Sequence, residues 1–332
     1  MYPLRFEPIF RRYLWGGRRL ATELEKPIGE GICAESWELV DRQEENSVVA
    51  FGSYTGQTLH DLISTAGPEL LGKRLSDRIK SADLPARLRG RFPLLLKFLD
   101  ANKTLSVQVH PDDQAGLQKE IPDLGKTEAW YVMDAAPGSK IYCGLKSGVE
   151  RADLAEAVNA GRTEEVIHAF EAKTGDCVFV PAGTVHAIGE GLLIAEIQQS
   201  SDTTYRLFDW NRVDDDGNAR ELHIDDALSV TNYQLGPVGP QTLPEVSENV
   251  SQALVDCDKF RIHCHRLPNE TLQLPLHDEC CLLMVVAGTV QVSDEPSGQP
   301  LGRGQTVLIP ASMGAVTLSG GPEAEVLEIR IP

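Results

Sequence analysis

The chain lacks any apolar run long enough to cross a bilayer. Its longest, Cys280 to Val290, is broken by Gly288, whereas a spanning helix needs about 20 residues, so the run reads as a buried strand. Cys-x-x-Cys spacing is also missing. Seven cysteines, an odd number, fit reduced thiols better than a disulfide frame or a Cys-based zinc site. Positive charge is in short supply: 31 Lys and Arg stand against 49 Asp and Glu, a net charge of −18. Nucleic acid and anionic membranes are therefore poor partners. An anionic small molecule would need cations concentrated at its own site, because exposed charges beyond about 8 Å are largely screened. The N-terminus has no apolar core followed by small residues, so a cytoplasmic location is expected. Nothing implies a protein partner.

With 42% hydrophobic and 24% charged residues over 332 positions, the chain has ample material for a large core or two joined ones. Residues 1–60 alternate short apolar stretches with turns. Residues 57–90 and 146–172 read as short helical insertions, the second including Thr163–Phe170. Between and after them come strands: 93–99, 104–110, 128–133, 140–143, 176–183 and 192–198. The expected fold class is mainly β, as barrels or sandwiches with short helical insertions.

One internal repeat divides the chain. Gly175-Asp-Cys-Val-Phe-Val-Pro-Ala-Gly183 recurs 129 residues later (304 − 175) as Gly304-Gln-Thr-Val-Leu-Ile-Pro-Ala-Ser312. Two similar β modules follow from it, spanning 1–232 and 251–332, with the Pro- and Gly-rich 233–250 as linker. His186 follows the first copy, but 129 residues on stands Ala315. The second module cannot do what His186 does.

Gln108 and His110 lie two apart on a strand and so share one face. A buried amide and imidazole need partners, and a metal ion could serve both. Glu128, at a strand start, and His186, after the Pro-Ala-Gly turn, complete four candidate ligands from three strands, and inward groups of a small barrel can converge. Singly, each also reads as an ordinary structural or surface residue.

Five stretches together carry a resemblance: Phe92-Pro-Leu-Leu-Leu-Lys-Phe-Leu, Leu105-Ser-Val-Gln-Val-His-Pro-Asp-Asp, Lys126-Thr-Glu-Ala-Trp-Tyr, Val180-Pro-Ala-Gly-Thr-Val-His, and Glu196-Ile-Gln-Gln-Ser-Ser-Asp-Thr-Thr-Tyr-Arg. The chain resembles the type I phosphomannose isomerases, in their compact bacterial group. That resemblance implies two cupin-type jelly-roll modules, the second degenerate and without metal ligands. It implies one Zn²⁺ per chain on Gln108, His110, Glu128 and His186. Lys97, Lys126 and Arg206 would be the catalytic or phosphate-side cations, with Ser106 at the substrate, a sugar phosphate. The reaction would interconvert mannose 6-phosphate and fructose 6-phosphate through an enediol.

Such an isomerisation needs a base, an acid and an electrophile. Zinc supplies an electrophile without redox chemistry, and a guanidinium suits phosphate. The base that moves the proton between C1 and C2 stays open among Glu196, Asp202, Lys126 and metal-bound water. Trp15 with Gly16-Gly17, and Glu35 with Trp37, read as packing positions. Two other readings compete: a non-catalytic sugar-phosphate-binding cupin, and a metal-dependent cupin oxygenase of the kind that uses a 2-His-1-carboxylate iron site.

Overall fold

A computed structural model describes residues 1–213, 217–242 and 250–332; residues 243–249 of the expected linker lie outside the described residues. The chain groups into two compact units. One holds residues 1–12, 18–98 and 243–332, the other 13–17 and 99–242.

In the second unit, two antiparallel sheets carry most of the chain. One runs in the order Leu192–Gln199, Glu128–Ala135, Asp176–Val180, Gln241–Thr242. The other runs Tyr205–Phe208, Val107–Val109, His186–Ile188, Lys140–Leu145, Ile167–Glu171. Alternation sorts the faces of the second sheet. Val107, Val109, Ala187 and Leu207 pack in one cluster with Leu154 and Val158 of the helix Arg151–Asn159, and with Ala227 and Leu228 of the helix Ile224–Val230. The opposite face carries Gln108, His186 and Arg206, which are register partners: Arg206 sits across from Gln108, Gln108 across from His186, and His186 across from Cys143.

The stretch read as a helix over Thr163–Phe170 is instead a 3₁₀ turn, Thr163–Glu165, followed by the strand Ile167–Glu171. That strand pairs with Lys140–Leu145. Its exposure alternates from residue to residue, and ladder pairing outweighs the helix-favouring Glu164 and Glu165. Gly144 lets the partner strand pass another loop. Its φ is +80°, and a Cβ there would lie 2.1 Å from the Gly236 carbonyl oxygen, so only glycine fits.

In the first unit, Ile9–Arg11 pairs with Glu35–Leu39 beside the strand Leu94–Ala101, which ends past the division between the units. The expected helical insertion over 57–90 forms as Leu59–Leu71 and Lys73–Ile79. Thr58 and Asp61 close a capping box at its start, satisfying orphan N–H groups. The helix kinks at Ala66, ahead of Pro68, as a ring without an N–H requires. The C-terminal part is again two antiparallel sheets. Five strands run in the order Val250–Asp256, Arg261–Arg266, Glu325–Arg330, Cys281–Ala287, Thr306–Ile309; four run Thr271–Pro275, Ala315–Gly320, Thr289–Val292, Leu301–Gly302. Leu283, Val285, Val316, Leu318 and Val326 fill the space between them.

The repeat is structural as well as textual. Strand Asp176–Val180 maps onto Thr306–Ile309 at the same offset, and the strand beginning at His186 maps onto the one beginning at Ala315. Mainly β architecture with short helices is therefore what the sequence folds into. Among the described residues no helix is long and apolar enough to cross a membrane.

Candidate metal centre and active site

Three elements of the second unit bring His110, Glu128 and His186 together. All three are buried, and their ligand atoms lie within 4.8 Å of one another. His110 follows the strand Val107–Val109, Glu128 opens the strand of the facing sheet, and His186 opens a third strand. His110 Nε2 is 3.4 Å from Glu128 Oε1, and His186 Nε2 is 3.7 Å from Glu128 Oε2.

Backbone carbonyls fix both imidazoles. His110 Nδ1 lies 2.9 Å from the Thr203 carbonyl and His186 Nδ1 lies 2.9 Å from the Thr184 carbonyl. A carbonyl oxygen can only accept, so each Nδ1 carries the proton and each neutral ring aims its Nε2 lone pair at the common centre. Burial pulls the His186 pKa below the ordinary value, against the opposing pull of the Glu128 carboxylate, which favours the neutral, ligating form.

Donors meet those lone pairs. Lys126 Nζ stands 3.1 Å from His110 Nε2 and 2.6 Å from Glu128 Oε1. The Gln108 amide nitrogen stands 3.2 Å from His186 Nε2. Half a turn of that amide exchanges its nitrogen for its oxygen, so Gln108 can present an acceptor to the same centre. Two imidazole nitrogens, a carboxylate and an amide oxygen, all buried or half-buried, form a donor set that fits a divalent metal ion. Trp130 closes one side. Its ring meets His186 edge-on at 5.2 Å, and its indole N–H donates to Glu196 at 3.1 Å.

Arg206 and Ser106 form the other end of the polar row. Arg206 Nε donates to Ser106 Oγ at 3.3 Å, and its Nη1 to the Glu221 carbonyl at 2.8 Å. Ser106 is buried and Arg206 half-buried. Burial, followed by the neighbouring Arg220 guanidinium, lowers the Arg206 pKa from its ordinary value.

Sequence reasoning missed two features here. Arg212 and Arg220 both pair with Asp209, adding cations near Arg206; the signal was the run of arginines at 206, 212 and 220. Cys143 was missed too, opposite His186 in the row. It is fully buried, and burial, helped by the Glu128 carboxylate, pushes its thiol pKa far up. Of the candidate bases, Glu196 is buried and hydrogen-bonded to Trp130, while Asp202 is exposed.

Lys97 falls in the first unit, on the strand Leu94–Ala101. There its ammonium lies 3.5 Å from Glu35 and 5.4 Å from the Trp37 ring centroid, and Trp37 donates to Glu35 at 2.6 Å. Trp15 is buried and stacks on Tyr13. A Cβ on Gly17 would meet Asp100 Oδ2 at 2.5 Å, so the Gly16-Gly17 pair keeps this segment tight.

The register also identifies the counterparts of the ligands in the C-terminal sheets. Cys281 faces Ile309 as Glu128 faces Val180. Pro275 faces Ala315 as Gln108 faces His186. Neither proline nor alanine offers a ligand atom.

Residues 4–135 match the family described as phosphomannose isomerase type I, catalytic domain. The chain is 34% identical over 325 residues to a mannose-6-phosphate isomerase of Bacillus subtilis (strain 168), covering 98% of each chain. It is 40% identical over 228 residues to a mannose-6-phosphate isomerase of Streptococcus mutans, covering 69% of this chain and 67% of the relative. Among solved structures, the mannose 6-phosphate isomerase from Bacillus subtilis superposes with a TM-score of 0.83 at 27% identity, covering 99% of both chains.

Proposed function

The chain belongs to the type I phosphomannose isomerase family, a metal-dependent family, and from that premise we propose that its metal is zinc, held by Gln108, His110, Glu128 and His186. The protein is an aldose–ketose isomerase that interconverts mannose 6-phosphate and fructose 6-phosphate. The observation that carries the metal assignment is the convergence of two carbonyl-locked imidazoles on one buried carboxylate. Carboxylate, imidazole and amide donors without thiolate suit zinc in a catalytic role. Bound there, the ion would polarise sugar oxygens and stabilise negative charge on them without redox chemistry.

The protein's own groups have separable tasks. Arg206 is the phosphate clamp: its guanidinium is only half-buried, lies in the same row as Gln108, and sits next to the Ser106 hydroxyl, so a phosphate can be held by paired N–H donors with Ser106 beside it. Lys126, between His110 and Glu128, holds a proton next to the sugar oxygens as the enediol forms and collapses. Lys97, a further cation that the family resemblance assigns to the catalytic set, is buried in the first unit with Glu35 as counter-ion. Glu128 and the buried Trp130–Glu196 pair exclude water from the proton-transfer step.

Residues 1–232 act as the catalytic module, 233–250 as linker and 251–332 as a module that binds no metal. This division is supported by the loss of ligand atoms at Pro275 and Ala315. We place the protein in the cytoplasm, in keeping with its free cysteines.

The test is conversion of mannose 6-phosphate by protein stripped with a chelator and then reloaded with single metals, with metal content measured alongside. Activity should vanish with the metal and return best with zinc at one ion per chain. Full turnover by metal-free protein would refute the metal assignment. Bound sugar phosphate without turnover in the metal-loaded protein would leave a binding protein.

A further inference from the structure

Outside this site, the first unit holds a cavity of about 250 Å³ between its N-terminal segment, the Leu24–Pro27 loop, Glu38, Phe51 and the Gln305–Thr306 strand start. The size is just below the roughly 300–1,000 Å³ of common ligand clefts. It admits a small molecule and excludes a nucleotide.

Two features show that the cavity is built for a polar guest. Lys26 and Glu38, 8% and 5% exposed, form an ion pair of 2.7 Å at its wall, and Ser36 donates to the other Glu38 oxygen at 2.6 Å. The ammonium keeps further N–H donors and the carboxylate further lone pairs. Independently, Thr306 lines the same cavity at 8% exposure, and its hydroxyl has no hydrogen-bond partner. Native structures rarely leave a buried hydroxyl unpaired without water or a ligand to meet it. Thr306 alternates with Val307 and Ile309, which belong to the C-terminal core, so its hydroxyl is on the strand face away from that core.

Charge selects the guest. Arg5 and Lys26 are outnumbered by Glu7, Glu25 and Glu38 among the lining residues, which disfavours an anion. The buried ammonium disfavours a cation. What remains is a neutral molecule rich in hydroxyls, able to donate to Glu38, accept from Lys26 and do either with Thr306, with an apolar face against Phe51 at the rim. We propose that this cavity is a second binding site, taking a neutral polyhydroxylated ligand of monosaccharide size or smaller.

The experiment is a saturation-transfer NMR titration of the full-length protein, its wild type metal-loaded, with D-mannose, D-fructose and glycerol, and with inorganic phosphate, followed by its ³¹P line width, as the charged control. It is run on wild type, on Thr306→Val and on His186→Ala. At least one neutral probe should saturate in wild type and in His186→Ala, and Thr306→Val should weaken it at least tenfold while leaving isomerase activity unchanged. Phe51→Ala, at the exposed rim, reads the same site should the Thr306 variant not fold. The proposal is overturned if no neutral probe saturates, if saturation ignores Thr306→Val and Phe51→Ala and follows His186 instead, or if phosphate binding is what those rim and wall variants weaken.

Discussion

Replacing Glu128 by glutamine changes one atom type at the middle of the proposed metal site. The carboxylate is 1% exposed, touches Lys126 Nζ at 2.6 Å and stands 3.4 and 3.7 Å from the two imidazoles. Glutamine keeps the shape, so packing is preserved and the change is electrostatic. Loss of a group that merely orients a ligand costs about 10–100-fold in metal affinity, so loss of the sole carboxylate donor of the trio should exceed about 100-fold, or roughly 2.7 kcal/mol at 1.36 kcal/mol per decade. The variant also leaves the Lys126 ammonium buried beside neutral neighbours, which further disfavours a second cation. The assay is zinc titration against a competing chelator, with circular dichroism as the check on folding and isomerisation of mannose 6-phosphate as the functional readout. Affinity and activity should fall together while the fold persists. A folded Glu128→Gln protein that keeps one zinc per chain through dialysis, with activity within tenfold of wild type, would refute the convergence argument.

Two other perturbations test the remaining assignments. Arg206→Ala removes a charge-assisted contact worth roughly 1.5–3 kcal/mol, so kcat/KM for mannose 6-phosphate should fall about 10–100-fold with zinc content unchanged; an unaltered value removes Arg206 from the phosphate site. In the C-terminal sheets, burial alone would raise the Glu328 pKa, but hydrogen bonds from His265 and Arg330 hold it at about 2. A depressed carboxylate stabilises the fold above its unfolded pKa, 4.5 as the ordinary value, and loses that contribution as pH falls towards 2. The span corresponds to about 3 kcal/mol, and Glu328→Gln should flatten the loss of urea resistance between pH 5 and 2.5; equal slopes in variant and wild type would count against the pair.

The legible part of the site was its strand periodicity. Gln108 and His110 announced a shared direction, and the repeat at 175 and 304 announced two strands that do occupy equivalent positions. Local signals served less well where pairing decided the outcome. Ile167–Glu171 is a strand because Lys140–Leu145 lies beside it, and no window of sequence contains that partner. The helix Asp113–Leu117 carried its signal in Asp112, whose side chain caps Ala115 N–H, but at five residues it has no periodicity to read. The carbonyls of Thr184 and Thr203 that set the imidazole tautomers were beyond reach altogether, since every residue has one. Grouping of residues 18–98 with 243–332 likewise depends on contacts between segments far apart in the chain.

The row of register partners Arg206, Gln108, His186 works as a ruler. Neighbouring strands are spaced about 4.8 Å apart, so the guanidinium-bearing strand and the imidazole-bearing strand lie two steps, about 10 Å, apart at the backbone. Side chains can shorten that distance but cannot change the number of steps. A ligand that met both ends, as the proposed roles require, would have to span two strand steps less the reach of the side chains, so the ladder that holds the fold together sets the scale of the molecule the site can accept.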